Sequence, residues 1–206
     1  MEDSFHTIAR ESRTEIKVKG SRFIGETFLA HDVSSALEKL QAVRKREFQA
    51  THHCYAYVTG QTDEVEFKYS DDGEPNGTAG RPIYDVLVGN GLTNALVVVT
   101  RYFGGTKLGT GGLVRAYSDA ARAALEISGK REVLITDDFR TTLEFSLYDR
   151  WVRELKRLDG DVVDSEFADT VTLQVRIRRS RSERLTAAFV ELTAGKGKIE
   201  KIESQE

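Results

Sequence analysis

Two stretches of the 206-residue chain carry residue types and spacings that could do chemistry. The first is SDDGEPNGTAGRPI, Ser70 to Ile83, which holds both prolines of the chain, three glycines, and the acids Asp71, Asp72 and Glu74. Three carboxylates so close together offer oxygen ligands to a hard cation. They could equally cap their own turn or pair with a nearby arginine. The spacing is not that of an EF-hand loop, and no metal and no other cofactor is expected. The second stretch is GGTKLGTGG, Gly104 to Gly112. Glycine takes positive φ and lets a backbone N–H come close to a ligand. This stretch follows an apolar run and opens a helix, where free N–H groups and the positive end of the helix dipole point the same way. A phosphate or another anion fits there. The candidate anion- or nucleic-acid-binding set is therefore Gly104, Gly105, Gly109, Gly111 and Gly112, with the cations Arg81, Arg101, Lys107 and Arg115. Neither a Walker loop nor a dinucleotide fingerprint is present, since Lys107 is not followed by Ser or Thr at a helix start and the third glycine is missing. A tight crossover turn that needs glycines for close packing explains the same residues without a ligand.

Three further candidates carry less. His52 and His53 are adjacent, so on a strand they face opposite ways and at most one joins a given site. Cys54 shares the face of His52, Ala56 and Val58, and this apolar company reads as an inert buried thiol rather than a nucleophile. The run RIRRSRSER, Arg176 to Arg184, holds five arginines that could grip phosphates. Asp164, Glu166 and Glu144 are expected on the same sheet face as Arg176 and Arg178, however, and cross-strand pairing would absorb much of that charge. The strand also lacks the stacked aromatics of RNA-recognition sheets.

The elements that must position these residues follow from composition and periodicity. Hydrophobic residues make up 39% and charged residues 31%, so a packed core is expected; the net charge of −3 argues against coating nucleic acid by bulk charge. The lone cysteine excludes an internal disulfide. The first residues lack the apolar run of a signal peptide, and no apolar stretch is long enough to span a membrane, so the cytoplasm is the expected location. Glu15 to Ala30 reads as strand, turn and strand; Asp32 to Arg46 as a helix with Ser35 and Glu38 as capping box; Thr51 to Val58 and Val65 to Tyr69 as strands. Pro82 suits the first turn of a short helix from Arg81 to Val88. ALVVVT, Ala95 to Thr100, reads as a strand buried on both faces, and Leu113 to Ile127 as a helix. Beyond Thr136 glycine becomes scarce. Strands around Leu143–Leu147, 162–168, Val171–Ile177 and 197–203 alternate with helices around Trp151–Leu158 and Leu185–Leu192, the second capped by Ser180 with Glu183. That β-α-β-β-α-β order is the ferredoxin-like signature. The domains expected are 1–136 and 137–206.

Taken together, KGSRF (Lys19 to Phe23), ATHHCYAY (Ala50 to Tyr57), SDDGEPNGTAGRPI and VVVTRYFGGTKLGTGGLVRAYSDAA (Val97 to Ala121) resemble the IMPACT/YigZ family in order and spacing. The resemblance implies an α+β first domain of the ribosomal small-subunit protein/elongation factor G type, with a left-handed βαβ crossover. It implies a second, ferredoxin-like domain similar to one in elongation factor G. It gives no agreed catalytic residue. The favoured expectation is a non-catalytic RNA- or ribosome-associated factor in translation, with a protein partner also open and no membrane. The alternative is a small enzyme acting on a phosphorylated or peptide-like substrate. In either case Asp71, Asp72 and Glu74 are expected to order the loop by holding Arg101, Lys107 or Arg81, across one cleft from the glycine turn.

Overall fold

In the computed structural model, which describes residues 3–60 and 65–203, contacts divide the chain into two units, Phe5–Val133 and Met1–Ser4 with Leu134–Glu206. The apolar run of the sequence becomes the centre of the first unit. It forms β6 (Ala95–Tyr102), the middle strand of a five-stranded sheet. Its neighbours are β3 (Ser21–Leu29) and β4 (His52–Thr59), and β2 (Ser12–Val18) and β5 (Glu66–Ser70) form the edges. Because side chains alternate across a strand, Val97 and Val99 enter one core, under α2 (Gly80–Gly89) and α3 (Thr110–Ser128). Leu96 and Val98 enter another, under α1 (Val33–Arg46).

Every neighbouring pair in this sheet is antiparallel. Hence β3 and β4 are parallel to each other, joined by α1 over one face with β6 between them. Likewise β5 and β6 are parallel, joined by α2 over the other face with β4 between them. Strand direction, direction of travel and face are all reversed between the two connections. Three reversals invert the hand, so one of the two crossovers is left-handed, against the usual rule for such connections.

Local signals differ from expectation in particular places. The capping box of α1 lies three residues earlier than Ser35 and Glu38: Asp32 is the N-cap, its Oδ1 accepts the Ser35 N–H at 2.7 Å, and Ser35 Oγ receives the Asp32 N–H. Two short strands, β1 (Ser4–Ile8) and β7 (Lys130–Leu134), pair with each other and were not legible, since neither carries a clear period-two pattern.

The second unit has β8 (Thr136–Leu143), α4 (Tyr148–Arg157), β9 (Asp161–Phe167), β10 (Val171–Arg178), α5 (Ser182–Leu192) and β11 (Lys198–Ile202). The sheet order is β11-β8-β10-β9, all antiparallel, as a ferredoxin-like β-α-β-β-α-β chain requires. Trp151, Leu155, Leu173, Val175 and Phe189 fill its core. Phe145 and Leu147 do not continue β8. They form a 3₁₀ turn in which the Leu147 N–H bonds the Glu144 carbonyl and feeds α4. Ser180 does not cap α5 either. A 3₁₀ turn at Arg179–Arg181 intervenes, and the Ser180 N–H and hydroxyl both bond the carboxylate of Asp3.

Candidate functional site

The acidic loop is tied into the fold at all three carboxylates. Asp71 stands in for the missing cap of α2: its Oδ1 accepts the Ala79 and Gly80 N–H groups at 2.9 and 2.8 Å, and its Oδ2 accepts that of Gly77 at 2.9 Å. That fills the positive end of α2 with a charge of the chain's own. Asp72 adopts a φ of 46°. It receives Arg44 Nη2 at 2.7 Å and the His53 N–H at 2.7 Å. Glu74 is buried and accepts two strong bonds, from Arg101 Nη1 at 2.5 Å and from the Tyr117 hydroxyl at 2.7 Å. Arg101 is the last residue of β6 but one, on the face that α3 covers, so this pair pins loop, sheet and helix at one point.

Cys54 lies in the same layer and donates its thiol to the Asp71 carbonyl at 3.0 Å. Burial pushes that thiol's pKa well above its ordinary value, which removes it as a nucleophile at neutral pH. His52 Nδ1 sits 2.8 Å from the Asp72 carbonyl oxygen, and since a carbonyl can only accept, Nδ1 carries the proton. His53 points to the opposite face, where Nε2 meets the Glu47 carbonyl; burial holds its pKa below the ordinary value despite that bond and the nearby Asp72. Among the described residues no group of three or more His, Cys, Asp or Glu is arranged to hold a metal ion.

Of the three cations expected to meet these acids, only Arg101 does. Arg81 pairs with Asp85 one turn along its own helix, and Lys107 makes no ion pair among the described residues. The partner that sequence reasoning missed is Arg44. The signal was present in the basic last turn of α1, Arg44-Lys45-Arg46, which no pattern linked to a loop nearly thirty residues away.

The glycine turn divides into two parts. Gly104 is structural: its N–H donates to Ser21 Oγ at 3.1 Å, and a Cβ there would lie 1.9 Å from the Gly20 carbonyl carbon. The two backbones touch, so neither tolerates a side chain. Gly105 and Gly109 instead take φ of 86° and 72° with open space around them, and Gly111 also faces open space. Gly109 is the N-cap of α3 and offers no side chain to the first turn; its carbonyl takes the Leu113 N–H. Lys107, Thr110, Gly111 and Arg115 are exposed, and Gly112 is partly so. Arg115, like Lys107, has no ion pair among the described residues. The start of α3 thus presents backbone donors beside two uncompensated cations. Arg101, by contrast, is only 5% exposed and belongs to the buried network. The acidic loop and α3 do flank one groove of about 470 Å³, lined by Gly77, Arg81, Pro82, Val114, Ser118 and Arg122 among others. The glycine turn is not part of that lining.

In the second unit the arginine run is largely consumed. Arg176 binds Asp138 in a fork at 2.7 and 2.8 Å, Arg179 binds Asp137 at 3.2 Å, and Arg181 binds Asp159 and the Leu158 carbonyl. The acids come from β8 and from the turn after α4, not from Asp164, Glu166 or Glu144.

These motifs and their placement match known sequences. Residues 19–125 match the model of the Impact N-terminal domain, and residues 141–196 match a domain of unknown function, DUF1949. The chain belongs to the IMPACT family. IMPACT family member YvyE of Bacillus subtilis is 33% identical over 95% of this chain and 90% of its own length. IMPACT family member YigZ of Escherichia coli is 35% identical over 87% of this chain and 88% of its own. A solved structure described as a hypothetical protein superposes over the whole of both chains, with a TM-score of 0.69 and 30% identity. The IMPACT motifs thus coincide with the internal ties of the first unit: DDGEP supplies Asp71, Asp72 and Glu74, and TRYFGG supplies Arg101 and Gly104. No described helix of this IMPACT chain is long and apolar enough to cross a membrane.

Proposed function

We propose that this chain is a non-catalytic RNA- or ribosome-associated factor in the regulation of translation, with the start of α3 as its phosphate contact. Membership of the IMPACT family supports the link to translation. The observation that carries the site is the contrast between two helix starts in one unit. The positive end of α2 is filled by Asp71. That of α3 has a glycine N-cap without a side-chain bond, and lies exposed beside Lys107 and Arg115. Backbone amides and flanking cations of this kind suit a phosphate oxygen of RNA. Glycine at 109 and 111 leaves room for a polymer backbone to approach. Arg81 and Arg101 act behind this contact, Arg81 on the rim of the groove and Arg101 as the inner strut that fixes the end of β6.

The same geometry speaks against the enzymatic alternative. General acid–base work needs a carboxyl or imidazole within reach of a substrate proton. Asp71, Asp72 and Glu74 each hold two or more strong internal partners. Their work is to order the loop. The test is co-sedimentation of the full chain with ribosomes and filter binding to a structured RNA. Wild type is expected to bind both or the RNA alone, and Lys107→Ala/Arg115→Ala is expected to lose most of that binding while keeping the wild-type circular dichroism. Undiminished binding by the double variant would remove α3 from the site.

A further inference from the structure

The outer edge of the second unit's sheet has an unusual division of side chains. Strand β9 is the last strand of the order β11-β8-β10-β9, so one side of its backbone has no neighbouring strand in the sheet. All seven of its residues are exposed. Its register with β10 sets which way each points. Asp161, Asp164 and Glu166 stand opposite Arg176, Gln174 and Thr172, on the open face. Val162 and Phe167 stand opposite the buried Val175 and Val171, on the face that carries the helices. The irregularity between Gln174 and Val175 makes room for the extra residue Val163 and keeps the two sets on separate faces. The apolar set does not end at the strand. Phe167 packs on Phe145 at 5.9 Å and on Tyr148 at 5.5 Å, yet Phe145 and Phe167 stay 61% and 51% exposed. The carboxylates are also uncompensated. Arg176, the cation nearest them in register, is committed to Asp138 on the other side, and none of the three forms an ion pair among the described residues.

We propose that the free edge of β9 takes up an extended segment of a partner protein as a fifth strand, one in which basic and apolar side chains alternate. An added strand meets the unpaired N–H and C=O groups, and alternate side chains fall on opposite faces of the sheet. Basic residues of the segment lie along Asp161, Asp164 and Glu166, and apolar ones cover Val162, Phe167 and Phe145. A second copy of β9 does not fit. Antiparallel pairing of the strand with itself brings two sets of three acids onto one face, for instance Asp164 against Asp164, and like charges directly opposite are destabilising. The acids also discourage indiscriminate edge pairing, so the edge selects by charge as well as by shape.

The test uses the full chain and three fluorescent eight-residue peptides: alternating lysine and valine, the same composition in two blocks, and alternating glutamate and valine. Anisotropy is expected to show binding of the first, with at least about fivefold weaker binding of the blocked peptide and none of the acidic one. Asp164→Lys/Glu166→Lys, which alters only exposed side chains, is expected to weaken the basic peptide by about tenfold or more and to create affinity for the acidic one. Phe167→Ser is expected to weaken the alternating basic peptide. Equal binding of the alternating and blocked peptides would reduce the edge to diffuse charge attraction and overturn the proposal. So would indifference to the charge reversal, absence of binding, or a wild-type dimer in sedimentation velocity that dissociates in the Phe167→Ser chain.

Discussion

Replacing Glu74 by alanine leaves a guanidinium buried without its counter-charge. Arg101 is 5% exposed, its Nη1 rests 2.5 Å from Glu74, and its Nη2 makes only a long bond of 3.4 Å to Ser21 Oγ. Its Nε has no partner even in the intact protein. Removing one member of a buried ion pair costs about 3–5 kcal/mol. Tyr117 loses its acceptor in the same stroke, which by itself is worth about 1.5–3 kcal/mol for a bond to a charged group. The two losses share one carboxylate and do not simply add. Glu74→Ala is therefore expected to destabilise the first unit by about 4 kcal/mol, and Tyr117→Phe by about 1.5 kcal/mol, from the magnitudes just used. Glu74→Gln keeps an acceptor for both partners and should fall between wild type and alanine. The assay is urea unfolding followed by circular dichroism, with hydrogen exchange on peptides from β6 and α3 to locate the loss. A Glu74→Ala midpoint equivalent to less than about 1 kcal/mol of destabilisation would refute the claim that this pair pins loop, sheet and helix together.

Four other outcomes can be checked in the same way. Gly104→Ala forces a Cβ to 1.9 Å from the Gly20 carbonyl carbon and is expected to cost about 3 kcal/mol or more, the upper end for overpacking. Gly111→Ala, with open space and a helical position, should instead stabilise by about 0.5–1 kcal/mol. Burial lowers the pKa of His53 below 6.5 in the folded protein, so the unfolded chain binds the proton first as pH falls. Stability should therefore decline from about pH 6.5 downward and level off below the folded-state pKa, and His53→Gln should flatten that part of a urea-midpoint profile. Arg176→Ala removes the forked partner of the buried Asp138 and should cost about 1.5–3 kcal/mol in the second unit, the range for hydrogen bonds to a charged group, read by Trp151 fluorescence.

Much of this architecture could be read from the chain because its strongest signals are local. ALVVVT, short and rich in β-branched valine, reads as a strand covered on both sides, and it is the centre of the larger sheet. The alternation of Val171, Leu173, Val175 and Ile177 and the helical spacing of Trp151, Leu155 and Leu158 were enough for the ferredoxin-like unit. What escaped depended on contacts distant in sequence. Phe145 and Leu147 continue an alternating pattern, yet the chain turns at Glu144 because the next helix must begin there. Ser180 carries a good cap signal, but Asp3, far away in sequence, takes its donors. The site was legible in its parts and in only one of its pairings. Both glycine clusters and all three acids drew attention by composition. The tie of Arg101 to the acidic loop was expected from charge, and Glu74 holds it. That Asp72 would hold Arg44, and that Arg101 would be buried rather than also free for a ligand, follows from strand register and helix placement, which spacing does not encode. Gly104 looked like a ligand contact for the same reason, since a glycine facing another backbone and one facing solvent read alike in sequence.

The salt dependence of RNA binding tests the central claim most directly. Each phosphate contact made by a cation releases counterions and adds about −0.7 to −0.9 to the slope of log affinity against log salt concentration. With Lys107 and Arg115 both at the α3 contact, the double alanine variant should bind a structured RNA with a slope shallower than wild type by about 1.4–1.8. A wild-type slope retained in that variant, or an affinity indifferent to salt in both chains, would contradict the account.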